Sequence, residues 1–259
     1  VRTAASALPS ADVDSPATLA DCAKVVVWGL VFWGAVQVAA AGLERNAVAM
    51  VVVQAGIAEW GASRMAIAWS DPKADPARQA IARRVAIGAA IGVACALLVA
   101  AGAIALHGAT VVAGEPAIGS VVVGLLVAAM GAVRDELLLR GVVLRATRLL
   151  PVAGSLIACG LVAAAARLGT DGSLTLAVVP EALRGAALGA IWVRDRGAWM
   201  ACGASAAWAW TTGPVLGGNL LDVRFTGNAS EVSSIAVLAV AGLAASLWAT
   251  GIWRPRKAS

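Results

Sequence analysis

The chain has 259 residues, 60% of them hydrophobic and 14% charged, with a formal net charge of +5 and a mean hydropathy of +0.84. These values exclude an ordinary soluble domain and predict an integral membrane protein. The basic residues are spread over short connections, so the positive balance reads as topology and anionic-lipid contact, and no nucleic-acid partner is predicted.

Residues 1–22 are polar, with Asp12, Asp14 and Asp21 and Arg2 as the lone base. The basic n-region of a signal peptide is missing, which predicts a short cytoplasmic tail. Crossing a hydrocarbon core of about 30 Å takes roughly 20 apolar helical residues. Eight such stretches can be placed, at 23–42, 47–69, 85–107, 117–140, 152–169, 174–193, 197–213 and 232–252. The predicted fold is all-α, a polytopic membrane helical bundle of about eight transmembrane helices over 23–253, followed by a basic tail at 254–259. No alternating barrel pattern competes with it.

Lys73, Arg78, Arg83 and Arg84 fall in the second connection, Arg145 and Arg148 in the fourth, Arg194 and Arg196 in the sixth, and Arg254, Arg256 and Lys257 in the C-terminal tail. All lie on one side of an eight-span bundle, so the positive-inside rule predicts both termini in the cytoplasm. The opposite loops, 108–116 and 214–231, carry Glu115, Asp222, Arg224 and Glu231 without a basic excess.

Small residues fill the spans, including Gly88 and Gly92 in the third and Gly185-Ala-Ala-Leu-Gly189 in the sixth. Such spacing lets helix backbones approach closely in lipid, and intramolecular packing is the expected use. Pro116 and Pro151 suit first helical turns and Pro214 a helix end. Pro180 is predicted to kink the sixth span and free a carbonyl. Trp28, Trp33, Trp69, Trp192, Trp199, Trp248 and Trp253 are expected to serve largely as interface anchors. The loop 211–230 reads as the longest structureless stretch. Cys22, Cys95, Cys159 and Cys202 stand singly, with no metal-ligand spacing, so neither a metal nor a cofactor is predicted.

The informative feature is charge inside apolar runs. Glu59, Arg64, Arg134, Asp135, Glu136, Arg140, Arg167, Glu181 and Arg184 all lie in or near predicted spans. Each costs at least about 2.5 to 3.5 kcal/mol at mid-bilayer, and their near balance predicts mutual pairing. Glu136 and Arg140 share a helix face, as do Glu181 and Arg184. Asp135 and Glu136 precede the turn near 150 by about as many residues as Arg167 follows it. At 1.5 Å per residue their depths differ by less than one helical turn. Counting from the turn near 196 brings Glu181, Arg184, Ala206 and Trp210 to a similar depth.

The stretch Asp135-Glu136-Leu-Leu-Leu-Arg140-Gly141 resembles the EExxxRG motif of the CPBP family, the CAAX-protease and bacteriocin-processing membrane proteins. Arg184-Gly185-Ala-Ala-Leu-Gly189, followed by Trp192-Val-Arg194-Asp-Arg196-Gly197-Ala-Trp199, is similar to that family's glycine-rich span and following turn. The resemblance covers roughly 117–212 and implies a helical bundle of about eight spans in the bacterial cytoplasmic membrane. In active members the paired glutamates and two later histidines are thought to activate a water against a peptide bond.

This chain departs from that pattern where the chemistry is decided. The FxxxH motif falls on Ala163-Ala-Ala-Ala-Arg167, the second histidine position on Ala206, the asparagine position on Trp210, and the first glutamate is Asp135. The only histidine, His107, is predicted at the opposite end of the third span, where it reads as an interfacial polar residue.

The leading expectation is therefore a catalytically inactive CPBP-like protein, an accessory or scaffold subunit of a membrane protein complex with membrane lipids and complex subunits as partners. In it Arg167 neutralises the acid pair, and Trp208 and Trp210 fill the emptied cavity. The alternative is a divergent intramembrane endopeptidase using Asp135 or Glu136 as base and Arg140, Arg167 or Arg184 for the oxyanion. A further alternative is a lipid or small-molecule binder or transporter built on Glu59, Glu181 and Arg184. The bland readings are a purely structural Glu136–Arg140 pair and a helix-packing pair of Glu59 with Arg64.

Overall fold

The computed structural model describes residues 18–70, 78–114, 117–171, 176 and 178–249. Residues 1–17 of the polar N-terminal tail, Lys73, Glu115, Pro116, Trp253 and the basic C-terminal tail lie outside the described residues. The helices are α1 (Leu19–Gly42), α2 (Ala47–Arg64), α3 (Arg78–Ala105), α4 (Ile118–Asp135), α5 (Val142–Ala146), α6 (Val152–Asp171), α7 (Val178–Asp195), α8 (Trp199–Trp210) and α9 (Ala229–Ala249). A π-helical turn, Glu136–Gly141, joins α4 to α5, and a second, Thr211–Val215, extends α8. The described chain thus forms eight helical rods, all-α in class, each overlapping one of the eight apolar stretches. Among the described residues three segments, Leu19–Gly42, Ile81–Ala105 and Ala229–Ala249, are long and apolar enough to cross a membrane, the mark of a membrane protein.

Local chemistry explains several of these boundaries. Thr18 and Asp21 form a capping box at the start of α1, each side chain bonding to the other residue's backbone N–H. Asn46 accepts from the N–H of Ala49 to start α2. Pro151 immediately precedes α6, where its missing N–H costs nothing. The predicted kink at Pro180 is corrected: it occupies the first turn of α7, where backbone N–H groups have no intrahelical partner to lose. Pro214 lies inside the second π-helical turn and not beyond the helix.

The loop 211–230 is also not structureless. After the π-helical turn, strand β2 (Leu221–Phe225) pairs antiparallel with β1 (Ala109–Ala113), aligning Ala109 with Phe225 and Ala113 with Leu221. The short runs Thr-Val-Val and Leu-Asp-Val-Arg-Phe suit a pleated, half-exposed ribbon. Gly218, at φ +112°, supplies the turn conformation that an L side chain would resist. Two strands of five residues were too short to stand out against the apolar helices.

Glycines set the helix spacing. A Cβ on Gly88 would meet the Met200 carbonyl, and one on Gly92 the Ala204 carbonyl, so α3 and α8 touch backbone to backbone. Gly185 and Gly189 press α7 onto Cys159, Gly160 and Ala163 of α6. Both spacings are used within the chain. The main core gathers Phe32 and Val36 of α1, Ala58 and Ala62 of α2, Leu137, Leu138 and Val142 around the π-helical turn, Leu188 and Ile191 of α7, and Ala201 and Ala204 of α8.

One end of the bundle collects the basic connections. Ser70 pairs with Gly197, the Ala198 N–H donates to the Trp69 carbonyl, and Trp69 stacks on Trp199 with ring centroids 4.6 Å apart. Arg84 reaches Asp195 at 3.2 Å and Arg148 reaches Asp21 at 3.2 Å. Arg194 lies over the Trp248 ring, 4.8 Å from its centroid. His107, two residues past the end of α3, adopts a left-handed conformation (φ 54°) immediately before Gly108 and the β ribbon.

Candidate functional site

The acid pair sits where the helix departs from α geometry. The Val142 N–H bonds to the Leu137 carbonyl, five residues back, so Glu136 to Arg140 occupy one widened turn. Glu136 and Arg140 are 0% and 1% exposed and face each other at 3.5 Å. The Trp192 indole N–H donates to Glu136 Oε2 at 3.0 Å. Gly141 makes room for that ring: a Cβ there would lie 3.2 Å from Trp192 Cη2 and 2.8 Å from Ile67 Cγ2. Trp192, expected at the interface, is 8% exposed and part of the core. The reason for the correction is that a buried indole needs an acceptor, and Glu136 supplies one.

Asp135 points elsewhere. Its Oδ1 accepts from Arg134 Nε at 2.7 Å, and Arg134 Nη1 donates to Gln54 Oε1 at 2.7 Å. Gln54 in turn donates to the Val36 carbonyl at 3.3 Å, which ties α1, α2 and α4 together. Asp135, Arg134 and Gln54 line a polar cavity of about 360 Å³ with Arg140, Arg167, Glu181 and Arg184, its apolar wall including Trp33, Met50, Leu139 and Ala166. Arg184 bonds twice to Glu181 Oε2, at 2.6 and 2.9 Å.

The structure therefore brings together Asp135, Arg140, Arg167, Glu181 and Arg184, and sets the other predicted residues apart. Glu136 is not among the residues that line this cavity. Glu59 accepts from the Trp69 indole at 2.7 Å and does not join Glu181 and Arg184 in the cavity. Arg64 lies over Trp60, 5.6 Å from the ring centroid. Trp208 lines a second, apolar cavity of about 370 Å³ beside α9, whose lining also includes Arg184. Trp210 donates to the Val121 carbonyl at 3.0 Å, fastening α8 to α4. Neither tryptophan is among the residues that line the polar cavity. Gln54 carries no charge signal in an apolar sequence, and Trp192 read as an interface anchor, so neither stood out as a partner of the buried charges.

Among the described residues, no group of three His, Cys, Asp or Glu side chains is placed to hold a metal ion. No family model, no curated protein and no solved structure matches the chain. Chemically, the cavity offers several fixed guanidinium donors and two carboxylates. Arginine donates hydrogen bonds and stabilises anions, but it does not exchange protons near neutral pH.

Proposed function

We propose that this chain is a catalytically silent CPBP-like bundle of eight spans, with both termini in the cytoplasm, acting as a scaffold or accessory subunit of a complex in the bacterial cytoplasmic membrane. The observation that carries the reading is the burial of Glu136. One of its oxygens holds the Trp192 N–H and the other faces Arg140, with no exposed surface. A general base needs a lone pair within reach of a water or substrate proton. Here the acid at that motif position is tied to two neighbours. Asp135 does reach a cavity, but bonded to Arg134. The gathering of the basic connections at one end accords with the orientation.

The test has two arms. Native protein is purified from its own membranes in mild detergent, and subunits present at a fixed ratio are identified by mass; a monodisperse lone chain would remove the subunit reading. In parallel, membrane-protein N-termini are compared between cells carrying the wild type, Glu136→Gln and Asp135→Asn. Loss of any cleavage in a variant that still folds would overturn catalytic silence and establish the endopeptidase.

A further inference from the structure

The apolar cavity beside α9 has the dimensions of a slot. Four helices wall it, with Ile91 and Cys95 of α3, Leu188 of α7, Trp208 of α8, and Leu238 and Trp248 of α9 on its lining. Along α9 it runs from Leu238 to Trp248, about 15 Å at 1.5 Å per residue. Its volume of about 370 Å³ over that length leaves a mean cross-section of roughly 25 Å². A helix about 10 Å across needs roughly 80 Å², so the slot is too narrow for a partner's helix and suits a single hydrocarbon chain.

The slot is closed beyond its deep end. A Cβ on Gly102 would lie 3.3 Å from Ser233, so α3 and α9 touch on the side away from the basic connections. Nearer the basic end the cavity separates these two helices; Ala244 at its edge is exposed and Cys95 half-buried, which opens it toward lipid. Arg184 also lines the slot, but it is bonded twice to Glu181 and so offers an occupant no unpaired charge. Water finds too few partners on such walls, and an empty slot forfeits their dispersion contacts.

At the basic end the apolar lining gives way to positive charge. Ile191 of α7 lines the slot, and Arg194, three residues further on, shares its helix face. The Arg194 guanidinium lies over Trp248, 4.8 Å from the ring centroid, which places it at the mouth. Among the described residues no carboxylate pairs with it, since Asp195 beside it is taken by Arg84 at 3.2 Å. Arg83 and Arg196 are exposed at the same end. An anionic headgroup there meets this charge without displacing an existing ion pair.

We infer that the slot holds one acyl chain of an anionic phospholipid, drawn from the bilayer leaflet on the basic side. The phosphate lies beside Arg194, and the chain runs past Trp248 toward Trp208 and Leu238. The inference holds whether or not the bundle is a complex subunit.

The test uses the full chain, delipidated in maltoside detergent and titrated separately with dioleoyl phosphatidylglycerol and dioleoyl phosphatidylcholine, bound lipid being counted by native mass spectrometry. One phosphatidylglycerol per chain is retained, about fivefold tighter than phosphatidylcholine, the contribution of one arginine near an anionic headgroup. Arg194→Gln lowers phosphatidylglycerol to the level of phosphatidylcholine. Ala241→Phe puts a ring into the slot without altering charge and abolishes the retained lipid. Fluorescence gives a readout that does not depend on that variant's folding: one equivalent of phosphatidylglycerol brominated at mid-chain quenches the wild type, and Trp208→Phe reduces the quenching. Equal affinity for the two lipids, an unchanged preference in Arg194→Gln, or lipid retained by folded Ala241→Phe would each overturn the inference. So would quenching that Trp208→Phe leaves unchanged.

Discussion

Breaking the Glu136–Arg140 pair from one side should cost far more than removing both charges. The groups are 0% and 1% exposed and 3.5 Å apart. At an effective dielectric of about 20 their attraction is on the order of 5 kcal/mol, largely cancelled by the cost of taking both out of water. Arg140→Met leaves a buried carboxylate with only the Trp192 N–H for company, a loss of about 3 to 5 kcal/mol. Glu136→Gln leaves the guanidinium uncompensated and costs a similar amount. The double variant Glu136→Gln/Arg140→Met keeps an acceptor for Trp192 and buries no charge, so it should lie within about 1 to 2 kcal/mol of wild type. Thermal unfolding in mild detergent, followed by far-UV circular dichroism, reads this as a drop in Tm on the order of ten degrees for each single variant, mostly regained in the double. Additive losses in the double variant would refute the pairing argument, as would a single-variant cost below about 1 kcal/mol, which characterises an exposed pair.

Trp192→Phe removes the donor to Glu136 Oε2 while keeping most of the packing, and should lower stability by about 1 to 3 kcal/mol in the same assay. Gly141→Ala would place its Cβ 2.8 Å from Ile67 Cγ2 and displace the Trp192 ring, costing about 1 to 3 kcal/mol. Gly92→Val forces α3 off the Ala204 carbonyl of α8, so about 3 kcal/mol is expected, and wild-type stability would show that those helices are not in backbone contact. Asp195→Asn weakens the bond to Arg84 at 3.2 Å and should cost about 1 kcal/mol, falling as salt is raised because Arg84 remains partly exposed.

The rods were legible because hydrophobic length is a strong signal, and each of the eight apolar stretches overlaps one. Depth counting from the turns also brought Arg167 to the level of Asp135, and both line one cavity. Trp192 was read as an interface anchor because it lies close to the end of α7, yet it reaches Glu136, well back from the end of α5. Counting residues from turns presumes parallel rods of uniform rise, and neither a widened turn nor the reach of an indole enters it. The same limit explains Glu59: its charge suggested a place with Glu181, while its position near the end of α2 puts it beside Trp69. The β ribbon was illegible because strands 112 residues apart in sequence pair only once the helices between them have brought their ends together.

The arrangement of charge follows a rule that the apolar surroundings impose. Inside the bundle the ion pairs Arg134–Asp135, Glu136–Arg140 and Glu181–Arg184 each lie within one rod, at separations of one, four and three residues. Three bonds that cross between rods at this level use a neutral partner: Trp192 to Glu136, Gln54 with Arg134, and Gln54 to the Val36 carbonyl. The pairs that join different rods, Arg84–Asp195 and Arg148–Asp21, sit at the basic end instead. A rod that carries its own counter-charge can enter an apolar phase without waiting for a neighbour, so the insertion cost is met before the rods pack. Association then needs only close glycine contacts and a few neutral hydrogen bonds. On this argument, moving a counter-charge from its own rod to the adjacent one, as in Glu181→Ala with Ala163→Glu, should impair membrane insertion even where the folded bundle could accommodate the pair. Insertion yield, measured by protease protection of nascent chains, would fall below that of wild type; equal yields would show that the local pairing has no role in assembly.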